Sequence, residues 1–517
     1  MPQIMSAKQA VQTMIKPGDT VAFGGFLGAA HPEEITKTIK EEFLEHGLPN
    51  DLTVIFAAAQ GDSGERGLNH LGEDGLVKKI IGGHFGLVPR LQKLITENKI
   101  SAYNLPQGVI SHLYRDIAAG KPGVISDVGL STFVDPRIEG GKLNQRAEAD
   151  GDIVEVIDLK GEELLFYKSM PINVSVIRAS YADTNGNCTF QREGTIADAI
   201  SMAQAAKNSG GKVIVQVERL VDYPSLDPRL IKLPGIYVDA IVVASPNNHR
   251  QTFCTMYNPA YCGEIRVPVS TLEPMPLDER KIVVRRAAME LIPNAVMNLG
   301  IGMPEGVAAV AAEEGLEGLV LTTEAGTNGG IPVGGLDFGV AVNPDCILEQ
   351  SSQFDFYDGG GLDITFLGLA QMDAAGNINV SRFGPKIAGC GGFINISQNT
   401  KKIVFCGTFT ARGLKIDVQN GKLVILQEGA VKKLLSDVEQ ITFSGKYALE
   451  HGQKVLYITE RAVFELTGKG IALKEVAPGI NIEKDILQHM DFQPIIDNVK
   501  LMSDCIFRPE KMNLILP

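Results

Sequence analysis

One charged residue, Glu324, stands among five glycines in the fifteen-residue stretch LTTEAGTNGGIPVGG (Leu321–Gly335). The apolar run Leu319-Val320-Leu321 leads into it. A carboxylate held out of water can attack an acyl carbonyl, and bare backbone N–H groups can stabilise the oxyanion that forms. The same pattern also describes a solvated loop acid or a helix cap. The other reactive side chains give weaker signals. The eight histidines show no metal-ligand spacing, and the seven cysteines contain no CxxC pair, so no metal site is expected. His31 precedes a helix and suits a capping position, while His84 lies in GGHFG, a tight packed turn. Cys390 has no indicated histidine partner and reads as a small buried hydrophobe.

The elements that carry these residues follow one scheme twice. Thr20–Phe23 reads as a strand, Gly24-Gly25-Phe26-Leu27-Gly28 as a glycine loop, and Pro32-Glu33-Glu34 as a helix start. Ala295–Asn298, then Leu299-Gly300-Ile301-Gly302, then Pro304-Glu305 repeats the order. SYADTNGNCTF (Ser180–Phe190) matches AQMDAAGNINV (Ala370–Val380), aligning Asp183 with Asp373, and GGKVIVQV (Gly210–Val217) matches TKKIVFCG (Thr400–Gly407). Three echoes in one order indicate a duplicated domain. Short β-branched runs (LTVIF, KVIVQV, AIVVA, LVLTT, KIVFC, VLYIT) alternate with helical patterns such as DERKIVVRRAAMELI. That alternation predicts an α/β fold with largely parallel sheets, built as two related lobes. The expected boundaries are 1–265 for the first lobe, 266–279 for a proline-rich linker and 280–517 for the second.

Composition narrows the function. With 517 residues, 44% hydrophobic and 21% charged, the chain is an ordinary multi-domain globular protein. No apolar run reaches membrane-spanning length and the N-terminus has no signal-peptide pattern, so a cytoplasmic protein with reduced thiols is expected. A net charge of −13 argues against a nucleic-acid or anionic-membrane partner. Small anions remain open, since a pocket needs only a few local cations and amides.

TEAGTNGGIPVGG, YDGGGLD (Tyr357–Asp363), GNINVSRFGPKIAGCGGFINI (Gly376–Ile396) and FCGTFTARGLK (Phe405–Lys415), taken together, resemble family I CoA-transferases. The fused-chain propionate and acetate enzymes are the most similar, and the likeness runs from the Gly24-Gly25-Phe26 loop to MDFQPIID (Met490–Asp497). The resemblance implies two lobes like the alpha and beta subunits of two-chain relatives, with the active site between them. It implies that Glu324 attacks a short-chain acyl-CoA, passes through an acyl–glutamyl anhydride and a glutamyl-CoA thioester, and hands CoA to a second carboxylate. No cofactor is required, since CoA and acyl-CoA are substrates. Gly24, Gly25 and Phe26 become oxyanion-donor candidates, and Gln107 and Gly108 in NLPQGVISHLYRD (Asn104–Asp116) candidates for contacting the acid. Gly391 and Gly392 become candidates for amide contacts near the thioester, and Arg382 and Lys386, or Lys401-Lys402, for CoA phosphates. The ordinary readings of these residues are packed turns, a capping glutamine and solvated cations. A homodimer or homotetramer is also implied. Three rivals remain at this point: an acyl-CoA hydrolase on the same scaffold, a sugar-phosphate isomerase, and a non-catalytic CoA-binding protein.

Overall fold

The computed structural model describes residues 1–268 and 275–516; of the linker expected at 266–279, residues 269–274 lie outside the described residues. The chain forms two compact units. The first comprises Met1–Val267, Thr323–Asp355 and Phe383–Asn395, and the second Pro268–Thr322, Phe356–Arg382 and Ile396–Pro517.

The ten-stranded sheet of the first unit has eight strands on one path: β1 (Gln3–Ile4), β2 (Thr20–Phe23), β3 (Leu52–Phe56), β4 (Val77–Gly82), β5 (Ser101–Asn104), β6 (Val174–Asp183), β7 (Lys212–Val221) and β8 (Ala240–Val243). They lie in the order β1-β8-β7-β6-β2-β3-β4-β5, every pair parallel. Parallel sheets are covered on both faces, which is why runs such as Val21-Ala22-Phe23 and Val54-Ile55-Phe56 are apolar without alternation and wholly buried. Helices α1 (Glu33–His46), α2 (Gln107–Ala118) and α3 (Ala199–Asn208) supply the cover. Ile35 and Ile39 of α1 join Val21, Phe23, Val54 and Phe56 in one core, and α2 packs on α3. Pro32 sits at the N-cap position, so α1 starts at Glu33, as expected from the fixed φ of proline.

The second unit contains β9 (Val296–Leu299), β10 (Val320–Thr322), β11 (Ile364–Gly368), β12 (Lys402–Cys406), β13 (Lys454–Ile458), β14 (Ala462–Thr467), β15 (Gly470–Val476) and β16 (Ile495–Leu501). Their order is β10-β9-β11-β12-β13-β14-β15-β16; the first five strands are parallel, and β14 and β15 run antiparallel to their predecessors. Helix α4 (Glu279–Ala288) is capped by Asp278, whose side chain accepts from the Lys281 N–H, and α5 (Gly306–Glu314) follows β9. The Pro304-Glu305 signal falls two residues before α5, where Glu305 accepts from the Gly302 N–H at 2.9 Å.

The sequence echoes are structural ones. The block β8-β7-β6-β2-β3 of the first unit has the order and direction of β13-β12-β11-β9-β10 in the second. The glycine after β2 donates to Val176 O at 3.0 Å, and the glycine after β9 donates to Phe366 O at 2.8 Å. In both units this is where strand order reverses, which places the glycine loops at the carboxyl ends of the strands beside a topological switch point. The Asp183 and Asp373 turns agree bond for bond. Asp183 accepts from Asn185 N, Asn187 N and Asn187 Nδ2 at 2.9, 3.0 and 2.8 Å. Asp373 accepts from Ala375 N, Asn377 N and Asn377 Nδ2 at 3.0, 3.0 and 2.9 Å. Each turn's asparagine then accepts a distant glycine N–H, Gly235 on Asn187 and Gly445 on Asn377, both at 3.0 Å.

Both aspartates are buried, so removing either takes the acceptor from three N–H groups of its turn at once. Asp183→Ala and Asp373→Ala are each expected to cost about 2–3 kcal/mol in stability. Denaturant unfolding of the two variants beside the parent checks this.

Candidate active site

Glu324 follows β10 and belongs to the segment Thr323–Asp355 of the first unit. It occupies the first corner of a tight turn: the Gly326 N–H donates to Thr323 O at 3.1 Å, and the Thr323 N–H donates to Thr327 O at 2.8 Å. The residue is only 8% exposed, so its carboxylate is largely withdrawn from water. Its neighbour Ala325 is fully buried in a small cluster with Phe26, Leu27, Ala58, Ala59 and Phe338. The Thr195 hydroxyl clamps the turn from the side, donating to Ala325 O at 2.5 Å. Gly326 closes it with φ +99°, and a Cβ there would stand 2.1 Å from Leu348 O. The bare backbone at Gly326 is therefore required by the protein's own chain.

The Gly24-Gly25-Phe26 loop lies against this turn through the Phe26 ring, whose centroid is 5.7 Å from that of Phe338. Two of its three amides are already used: Gly24 N donates to Val176 O and Phe26 N to Ala29 O. Among the described residues the Gly25 N–H has no protein acceptor. Gln60 locks the loop. Its Nε2 donates to Phe23 O at 2.9 Å and to Gly25 O at 3.2 Å, and its Oε1 is 3.0 Å from His31 Nδ1. His31 is buried, with Nε2 2.9 Å from Thr36 Oγ1. Burial pulls its pKa down to about 4, so it is a neutral structural imidazole at ordinary pH.

A second group of expected residues meets on α2. The Gln107 N–H donates to Gly391 O at 2.9 Å, and the Gly391 N–H donates to Gly83 O at 2.7 Å. The Gly108 N–H donates to Asn395 Oδ1 at 3.1 Å. Gly108 lies so close to Phe354 that a Cβ would stand 2.6 Å from that ring. With these amides engaged, Gly392 is the member of the pair whose N–H has no protein acceptor among the described residues. The Gln107 side chain donates through Nε2 to Gln350 Oε1 at 2.5 Å. His84 lies 3.8 Å from where a Gly391 Cβ would stand, and burial together with the nearby Lys386 ammonium pulls its pKa down to about 4. Lys386 is exposed in the first unit, whereas Arg382 belongs to the second unit, where Asn379 Oδ1 accepts its N–H at 3.2 Å. Cys390 is buried; burial pushes its thiol pKa up, so no thiolate forms.

The loop Thr195–Asp198 joins the two groups. Thr195 holds Ala325, Ala197 O accepts the Gln350 N–H at 3.0 Å, and Asp198 Oδ2 accepts from Gln350 Nε2 at 3.0 Å. Gln60, Thr195, Asp198 and Gln350 are buried polar residues whose contacts with the candidate residues inspection of the sequence misses. Each is a lone polar residue whose partner is distant in the chain, and no local motif marks it.

The Glu324 turn, the Gly24-Gly25-Phe26 loop and the Gln107–Gly391 contact all belong to the first unit. A coenzyme A transferase family model matches residues 4–244. The chain is 47% identical over 515 residues to a caffeate CoA-transferase of Acetobacterium woodii, covering 98% of each chain. It is 42% identical to an acetate CoA-transferase, YdiF, of Escherichia coli K12, covering 99% of this chain and 97% of that one. It superposes with a TM-score of 0.93 and 41% identity on a crystal structure of the acyl-CoA transferase YdiF of E. coli O157:H7 described as a thioester complex with CoA, covering 100% of this chain and 98% of the other. The chain belongs to the coenzyme A transferase family, as a fused-chain family I member. It is a CoA-transferase. No helix among the described residues is long and apolar enough to cross a membrane.

Two glycines of the same stretch separate packing from mere looping. Gly326→Ala is expected to cost at least about 2 kcal/mol and most of the CoA-transfer activity. At Gly335, φ is +65° with nothing within 4 Å of a new Cβ, so Gly335→Ala should cost only about 1 kcal/mol. Thermal melts and an acyl-CoA-to-carboxylate exchange assay on both variants check the contrast.

Proposed function

We propose that the protein transfers CoA between a short-chain acyl-CoA and a free short-chain carboxylate, with Glu324 as the nucleophile. The observation that carries this is the placement of Glu324: an acid 8% exposed, fixed at the corner of a clamped turn. A carboxylate in water is a weak nucleophile because water solvates it; burial removes that shell, and the turn fixes the direction of attack. A Glu324 oxygen adds to the thioester carbonyl, the C–S bond breaks, and CoA leaves as thiolate. The thiolate then adds to the glutamyl carbonyl of the anhydride, its C–O bond breaks, and the first acid leaves as carboxylate. A second carboxylate reverses both steps. Each addition passes through an oxyanion, for which the Gly25 and Gly392 amides are the available donors, and Gln107 contacts the acyl or carboxylate group. Lys386 meets a CoA phosphate. Thioester energy stays on the enzyme throughout, so the scheme calls for no metal, nucleotide or prosthetic group. The acetate and caffeate named for the relatives support a carboxylate acceptor, and the CoA thioester described for the E. coli enzyme supports the covalent route.

The scheme is ping-pong: initial-rate plots against acyl-CoA at several acetate concentrations should be parallel lines. Glu324→Gln, which keeps shape and removes the nucleophile, should lower the exchange rate by roughly a thousandfold or more with an unchanged melting profile. Intersecting plots, or exchange in Glu324→Gln near the parent rate, would contradict the scheme.

A further inference from the structure

Behind Gln107 lies a chain of polar side chains that the reaction scheme leaves unused. Gln107 Nε2 donates to Gln350 Oε1, and Gln350 Nε2 donates to Asp198 Oδ2. All three residues are at most 2% exposed. Hydrogen bonds in such a chain have a direction. An ionised Asp198 only accepts, so Gln350 must turn its NH2 toward Asp198 and its oxygen toward Gln107. Gln107 then gives an N–H to Gln350 and turns its own oxygen away from the chain. That oxygen lies 3.9 Å from where a Gly391 Cβ would be, beside the candidate glycine pair. If Asp198 carries a proton on Oδ2, that oxygen donates to Gln350 Oε1, both carboxamides rotate, and Gln107 turns its NH2 outward instead.

The distinction matters because a carboxylate or an oxyanion needs a donor. The surroundings of Asp198 favour the proton. Asp198 lies buried beside Ser111 and Tyr114, with the Ser111 hydroxyl as a donor to its carboxyl group. A carboxylate charge in such a place is costly, and a proton from solvent removes it. Glu349, fixed by the Ile200 N–H at 2.8 Å, is the like charge beside it. His112 and the close-lying Ser111 on α2 pull the other way, while Arg115 on α2 is paired with Asp355 and steadies Glu349. Burial first and Glu349 second push the Asp198 pKa up to about 7.

We infer that Gln350 and Asp198 are positioning residues that set which end of the Gln107 carboxamide faces the acyl group. This rests on the reading of Gln107 given under Proposed function. Neutral Asp198 turns the donor end to the acid, and ionised Asp198 turns the acceptor end.

The test is the KM for acetate measured across about pH 6 to 9 in four proteins. In the parent it should rise about tenfold with pH, as the competent fraction falls, and level near the Gln107→Ala value. Gln107→Ala should have that raised KM at every pH. Asp198→Asn, a permanently neutral isostere, should keep the low KM to the top of the range. Gln350→Met, which fills the space and breaks the chain, should abolish the pH dependence and provides the answer should Asp198→Asn fold poorly. If Gln107→Ala leaves the KM unchanged, the reading of Gln107 falls and the inference with it. If Gln107→Ala raises the KM while Asp198→Asn or Gln350→Met follows the parent profile, the inference alone is overturned.

Discussion

Everything at this site depends on holding one carboxylate away from water at the corner of a turn. Burying an acid is expensive, and a protein tolerates it only where packing and hydrogen bonds fix the surrounding chain. Here the turn closes on itself through Gly326 and Thr323, takes a hydroxyl from Thr195, and rests Ala325 among Phe26 and Phe338. None of these groups needs to touch the substrate. Together they determine where the acid's oxygens lie and how little water reaches them.

The repeated strand order sets Glu324 beside its counterpart position in the first half. Strand register pairs Ala22 with Ile55 in the first unit and Asn298 with Thr322 in the second. Two positions past those partners stand Ala57 and Glu324. The two halves thus share a strand, a turn position and a glycine loop, and only one half carries the acid. The loops have diverged in the same sense: Gly24-Gly25-Phe26 packs its ring on the turn cluster, whereas Gly300-Ile301-Gly302 leads to Glu305, which accepts from Gly302.

Much of this was legible in the sequence, and the divide has a physical basis. Strands, helix starts and the Asp183 and Asp373 turns come from local patterns, because period, proline and Asx geometry act over a few residues. Glu324 stood out by isolation, and the family resemblance gave it a role. The use of each amide was hidden, since Gly24 N, Phe26 N and Gly391 N are consumed by carbonyls that only the fold brings near. The same holds for the segments Thr323–Asp355 and Phe383–Asn395, which lie in the second half of the sequence but fold with the first unit. Thr195 bonds Ala325, Asp198 bonds Gln350 and Gln350 bonds Gln107, each pair more than a hundred positions apart, and no window of sequence contains both ends.

The most direct test is the intact mass of the protein after mixing with acetyl-CoA without an acceptor acid, followed by proteolysis to locate any adduct. The account predicts a CoA-sized increment on the peptide carrying Glu324, removed by adding acetate. A folded, CoA-binding protein that shows no adduct, or one attached to any other residue, would contradict it.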